Sequence, residues 1–343
     1  MPTTSDLLTN GEVLCFLHIP KTAGLSLTDF IKSQFVPFES NSTTDLSDFI
    51  KTPQDEIAKY KFIAGHFPYN ISNFVQRKLV YITVLRDPVE RTISHYAHIR
   101  RNPAHHGYDF AKSQSLLEFV RDPRAQLLYA NLQARLIGSD SMFPELMENV
   151  GKGSNQAQEP QQQVDVYSPN GKLDATLLEC AQERLSKFAF VGITELFEES
   201  LKLLCATFGW NAPVASKVIN FGTNRPHDNE VTQEAIDVIR ENNKVDAALY
   251  EMSKQTFVER YNQIARDQGE NVSLSIDSNQ ETIATMQRKI DLLQRANNQL
   301  GEELRLMQNS FVGRFYVRAN AARQKLMPHG SPLETIYLKI RGH

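Results

Sequence analysis

The apolar and polar positions of the chain switch repeatedly between uninterrupted apolar runs and helical spacing, which predicts strands alternating with helices. Val13 to His18 has strand composition, Pro20 and Gly24 punctuate a turn, and Leu27, Phe30 and Ile31 resume on one helical face, so a helix begins near Ser26. The short apolar segment Tyr60 to Ala64, followed by Gly65, predicts a second strand. Leu79 to Leu85 is apolar throughout, as expected of a parallel strand buried on both faces. Asp87 then caps a helix, with Pro88 at its first position, Glu90 placed to complete a capping box, and Ile93, Tyr96 and Ala97 on one face. Helical patterns cover Leu116 to Ile137, a strand candidate spans Phe188 to Ile193, a turn begins at Thr194 and Glu195, and a helix follows from Glu198 to Phe208. The fold class is therefore α/β: a P-loop-like parallel sheet flanked by helices, with a C-terminal helical coiled-coil extension.

Residues 138–171 interrupt this rhythm. They are rich in Gly, Ser, Asn, Gln and Pro, lack periodicity, and read as a flexible insertion in a main domain assigned to residues 1–270. Farther on, Ile283, Met286, Ile290, Leu293, Asn297, Leu300, Leu304, Met307 and Phe311 step by three and four, which assigns a coiled coil to 278–311. Asn297 at a core position favours a parallel homodimer in fixed register. Gly301 and sparse flanking charges leave open a long helix packed on its own domain. The tail, 312–343, intersperses Arg314, Arg318, Arg323 and Lys325 with Phe315, Tyr316, Val317 and Leu326, a pattern that suits either peripheral contact with an anionic membrane or a solvated helix end.

The first strand–loop–helix unit has the makings of an anion site. Backbone N–H groups at the helix start, the positive end of the helix dipole, the Lys21 charge and the hydroxyls of Thr22 and Ser26 all converge on the loop. It is not a Walker A loop, because Pro20 precedes the lysine and the lysine comes early. A chance solvated loop is the bland alternative. The second unit places Arg86 at the carboxyl end of a strand, where open α/β sheets bind ligands, and Ser94 farther along the helix joins it on a second phosphate. There the bland alternative is an Arg86 paired with Asp87 or Glu90. Two phosphate sites on successive units suggest a nucleotide phosphorylated at both ends.

The segments His18-Ile-Pro-Lys-Thr-Ala-Gly-Leu-Ser26 and Leu85-Arg-Asp-Pro-Val-Glu-Arg-Thr-Ile-Ser94 resemble the 5′-phosphosulfate and 3′-phosphate motifs of the PAPS-dependent carbohydrate sulfotransferases of family 2, the heparan sulfate 2-O and 6-O type and its bacterial relatives. Gly65-His66, Asn131 to Arg135, Val191 to Phe197 and the helical stretch ending near Tyr261 extend the resemblance over roughly residues 10 to 265. It implies that Lys21, Thr22, Ala23, Gly24 and Ser26 hold the 5′-phosphosulfate of 3′-phosphoadenosine 5′-phosphosulfate (PAPS), that Arg86 and Ser94 hold its 3′-phosphate, and that His66 is the general base. It also implies that His18 shapes the loop. Ala64 stands where some relatives have a first histidine, against a two-histidine mechanism. His95, His98, His105 and His106 either line the acceptor cleft or are ordinary surface, and Arg225 in a turn-rich segment is expected as a further contact to the cofactor or to an anionic acceptor.

Composition narrows the rest. With 343 residues and 41% hydrophobic content the chain can bury one large core plus an appendage. A net charge of -3 and a pI near 6.3 argue against a nucleic-acid binder. Cys15, Cys180 and Cys205 lack metal spacing and read as reduced thiols, and no targeting or membrane segment is evident, so the expected setting is cytoplasmic, at most peripheral to the inner membrane face. The expected partner is a glycan or glycolipid acceptor, with no metal. The other function classes are a metal-dependent P-loop kinase, for which no magnesium carboxylate is evident, and a non-catalytic nucleotide-binding scaffold.

Overall fold

The structure, a computed structural model, describes residues 8, 11–139, 171–211, 230–269 and 274. The chain divides into two compact units, Met1–Ile276 and Asp277–His343, and every described residue belongs to the first. The heptad stretch 278–311, the tail 312–343, Arg225 and all but the ends of the 138–171 insertion lie outside the described residues.

Four strands, β1 Val13–Leu17, β2 Phe62–Gly65, β3 Leu79–Leu85 and β4 Phe190–Ile193, form one parallel sheet in the order β2-β1-β3-β4. The apolar runs become strands buried on both faces: every residue of β1 is buried, as are the last five of β3. Burying an aromatic or aliphatic side chain such as Phe16, Ile82 or Phe190 stabilises the fold by about 1.5–3 kcal/mol each.

The main helices are α1 Gly24–Lys32, α2 Pro88–Ile99, α3 Leu116–Arg121, α4 Pro123–Tyr129, α5 Leu132–Gly138, α6 Gly171–Leu185, α7 Phe197–Phe208, α8 Gln233–Asn242 and α9 Lys244–Asp267. The helix expected near Ser26 begins at Gly24, because Ala23 takes a left-handed conformation and serves as its N-cap. Asp87 caps α2 through its carboxylate, which accepts from the Glu90 N–H at 2.9 Å. The expected capping box is completed differently: the N–H of Asp87 donates to Glu195 at 3.2 Å, while Glu90 faces Arg86.

A second apolar cluster, separate from the sheet core, joins Ile93, Tyr96 and Ile99 of α2 to Phe119, Leu128, Tyr129 and Ile239. Distant segments are tied together by reciprocal capping. Asp246 accepts from the N–H groups of Gln133 (3.1 Å) and Ala134 (2.7 Å) at the start of α5, while Asn131 Oδ1 accepts from those of Val245 and Asp246, both at 3.1 Å, at the start of α9.

Candidate active site

The sheet register determines which residues can meet. Leu17 pairs with Gly65, and Leu85 with Ile193, so His18, His66, Arg86 and Thr194 are the first residues beyond the strand ends along one edge of the sheet. That carboxyl edge is where parallel α/β sheets place ligands.

Between β1 and α1 the loop is tightly constrained. Lys21 (φ 73°) and Ala23 (φ 61°) both occupy the left-handed region, which residues other than glycine rarely adopt and which clusters at ligand-binding turns. Gly24 is required by close approach: a Cβ there would come within 2.0 Å of the His18 imidazole. His18 is itself buried and stacked on Phe16, so it shapes the loop from beneath. Thr22 is fully buried and its hydroxyl donates to the Ile19 carbonyl at 2.9 Å, which commits that proton within the loop. Ser26 is half-buried in the first turn of α1.

The Lys21 pKa is lowered, first by burial and then by the nearby Arg86 and Arg101 charges. Crowded cations around a loop of this shape favour an anion, which would offset their mutual repulsion.

Arg86 ties the second unit to the first. Its Nη1 donates to the Lys21 carbonyl at 3.0 Å, so the two predicted phosphate sites share one hydrogen bond. Its Nη2 lies 3.6 Å from Glu90 and its Nε 3.8 Å from Glu195, which partly bears out the ion-pair alternative. Its backbone is clamped by Gln133, which accepts from the Arg86 N–H at 3.0 Å and donates to the Arg86 carbonyl at 2.9 Å. Nε is buried without a hydrogen-bond partner, facing the Glu195 carboxylate beyond hydrogen-bond distance. Ser94 is half-buried farther along α2.

His66 projects from the end of β2. Its ring reaches solvent, yet protein atoms crowd it closely, and this desolvation lowers its pKa. The His18 carbonyl and Asp45 raise it, and Lys21 lowers it further. Nδ1 stands 2.8 Å from the His18 carbonyl oxygen, which can only accept. The proton is therefore on Nδ1, and Nε2 carries the lone pair. The His66 N–H donates to the Thr44 carbonyl at 2.9 Å, fixing the backbone as well.

Among the other histidines, His95 is not ordinary surface: it is buried on α2, with Nδ1 unpartnered and its pKa held well below the ordinary value by burial and by Arg91. His105 stacks on His106 with ring centres 4.2 Å apart and meets both His95 and His98 edge-on. Lys21 and His66 both act electrostatically on His98, so this cluster borders the site. Gln133, Glu195, Tyr250 and Asp45 take part in the arrangement without any individual signal in the sequence. The first two lie within stretches whose resemblance to the family was visible, but their partners are far away in the chain.

The arrangement combines an anion-favouring loop, a clamped arginine and a neutral imidazole with a directed lone pair. It suits transfer of a group from an anionic donor to a nucleophile that must lose a proton.

Among known proteins, the chain is 29% identical over 210 residues to heparan-sulfate 6-O-sulfotransferase 1 of Homo sapiens, covering 54% of this chain and 45% of that protein. It is 28% identical over 196 residues to heparan-sulfate 6-O-sulfotransferase 2 of Gallus gallus (54% and 46%), and 25% identical over 210 residues to heparan-sulfate 6-O-sulfotransferase 1-B of Danio rerio (54% and 45%). The chain thus spans about half the length of the curated relatives it matches. The model of the sulfotransferase family matches residues 7–261, and with most of its length inside that match the chain belongs to the sulfotransferase family.

Proposed function

We propose that this chain transfers a sulfuryl group from PAPS to a hydroxyl of a glycan or glycolipid, with His66 as general base. The observation that carries this reading is the shared sheet edge: the Lys21 loop, Arg86 bonded to it, and His66 with Nε2 left unprotonated. The relatives named for heparan sulfate support a glycan acceptor.

The residues fit such a donor. The Lys21 loop, with the backbone N–H groups opening α1, would hold the 5′-phosphosulfate, and the Arg86 guanidinium bonded to that loop suits the 3′-phosphate. When bound, PAPS supplies a sulfuryl group whose bond to the 5′-phosphate oxygen breaks as the acceptor oxygen bonds to sulfur. His66 Nε2 takes the acceptor proton. The Lys21 ammonium and the N–H groups at the start of α1 hold the negative charge that grows on the departing phosphate oxygen, and they favour the transition state because that charge is largest there. No metal is assigned a role in this scheme.

The test is incubation of the full chain with radiolabelled PAPS and fractionated cell-envelope glycans, with calorimetric titration by adenosine 3′,5′-bisphosphate. Label appearing in a glycan fraction supports the reading. Failure to bind the bisphosphate would overturn it, and ATP hydrolysis strictly dependent on magnesium would replace it with a kinase.

A further inference from the structure

Behind Arg86 stands Glu195, a carboxyl group that the scheme above does not use. It belongs to the turn after β4 and accepts from the Asp87 N–H through Oε1 (3.2 Å) and from the Tyr250 hydroxyl through Oε2 (3.0 Å). Oε1 also faces Arg86 Nε at 3.8 Å, too far for a hydrogen bond but close enough to act on the charge. The Arg86 guanidinium is thus held by one close bond, to the Lys21 carbonyl, and by two looser carboxylates. An incoming phosphate must compete with those carboxylates for it.

We propose that Glu195 sets the grip of Arg86 on a 3′-phosphate, drawing the guanidinium back and opposing the anion as a carboxylate, and releasing it as a neutral acid. This rests on the functional reading above.

The surroundings make both protonation states accessible. The charged and titratable groups acting on Glu195 are Arg86 at the end of β3, the Asp87 carboxylate at the N-cap of α2 and Tyr250 on α9, while Glu90 on α2 shares Arg86 and Lys254 lies 5.9 Å from the centre of the Tyr250 ring. Although 22% of its side-chain surface is open, burial pushes the Glu195 carboxyl up to about 7, against the pull of Arg86. A phosphate dianion on Arg86 adds negative charge beside it and raises its affinity for a proton further, so binding takes up a proton. Affinity then falls as pH rises from 7, by up to about tenfold per pH unit until the bound-state value is passed.

The experiment is calorimetric titration of the full chain between pH 7 and pH 9, where the ligand phosphates are already dianionic. The probes are adenosine 3′,5′-bisphosphate and adenosine 5′-monophosphate. For the native protein, the Kd of the bisphosphate is expected to rise several-fold more across this range than that of the monophosphate. In Glu195→Gln, an isostere of the neutral acid, that excess disappears and the bisphosphate binds more tightly at pH 9 than to the native protein. Tyr250→Phe removes a hydrogen bond to the carboxylate and moves the native transition to higher pH, which keeps the test decisive should the first variant not fold. The same excess in Glu195→Gln as in the native protein overturns the proposal, as does an unmoved transition in Tyr250→Phe. A native protein that fails at every pH to prefer the bisphosphate overturns the functional reading itself.

Discussion

His66 Nδ1 lies 2.8 Å from the backbone carbonyl oxygen of His18, the residue that continues the neighbouring strand. Parallel pairing of β1 with β2 creates this contact, because Leu17 sits opposite Gly65 and the next residues emerge together. A backbone acceptor cannot be mutated away by changing His18, so the tautomer of His66 is built into the sheet. Replacing the base tests its role. His66→Ala is expected to lower sulfuryl transfer by about 10²- to 10⁴-fold, the usual contribution of a general base, while binding adenosine 3′,5′-bisphosphate within about twofold of the native protein. Transfer of label at the native rate by this variant refutes the assignment.

The pH profile follows from the same ring. A general base must be neutral, and burial with the Lys21 charge lowers the His66 pKa below its ordinary value of 6.5. The acid limb of kcat/KM is therefore expected below pH 6.5, with no loss of activity on going from pH 8 to pH 7. Asp45 opposes the lowering, and as an amide it can still cap the turn Leu46–Phe49. Asp45→Asn should move the limb to lower pH. An acid limb above pH 7, or one that moves upward in Asp45→Asn, contradicts this account.

Gly24 and His18 form a second pair whose coupling can be measured. An added methyl at Gly24 meets the imidazole at 2.0 Å, and the loop has little freedom to retreat because Lys21 and Ala23 already hold left-handed backbone. Gly24→Ala is expected to cost about 1–3 kcal/mol in urea unfolding and to weaken bisphosphate binding. His18→Ala in the same chain should restore part of both, since the obstructing ring is gone. Strictly additive losses would show that the ring is not what excludes the methyl.

The strands and the two strand–loop–helix units were legible because their signals are local. The strand Leu79–Leu85 has the limits that its apolar run indicates, and Asp87 and Pro88 open α2 where capping chemistry places them. What remained hidden depends on partners far apart in the chain. Nothing near Arg86 indicates that Gln133 clamps its backbone or that Glu195 replaces Glu90 in the capping arrangement. Nothing near α5 reveals that Asp246 caps it. The histidines on and after α2 carry no local sign of burial, because their spacing does not disclose that His95 is buried beside Arg91 and His105. Arg225 and the heptads fall outside the described residues.

Those buried histidines make stability sensitive to acid. His18 and His95 are held well below 6.5 by burial, and His105 is pushed down to about 3. In the unfolded chain each takes up a proton near pH 6.5, whereas in the folded protein it does not, so the unfolded state binds more protons as pH falls. A depressed folded pKa contributes stability above the unfolded value and loses it below. Each fully buried histidine therefore costs up to about 1.4 kcal/mol per pH unit beneath 6.5. Glu195, raised to about 7, acts in the opposite sense and recovers part of the loss. The contribution of one histidine can be isolated at His95, whose Nδ1 has no hydrogen-bond partner and whose replacement by an apolar ring strands no acceptor. His95→Phe is expected to melt near the native temperature at pH 7 and several degrees above the native protein at pH 5, as read by the far-ultraviolet circular dichroism of both proteins across that range. A difference in Tm between the two that is the same at pH 5 as at pH 7 would mean that His95 takes up its proton in the folded state and contributes nothing to acid sensitivity.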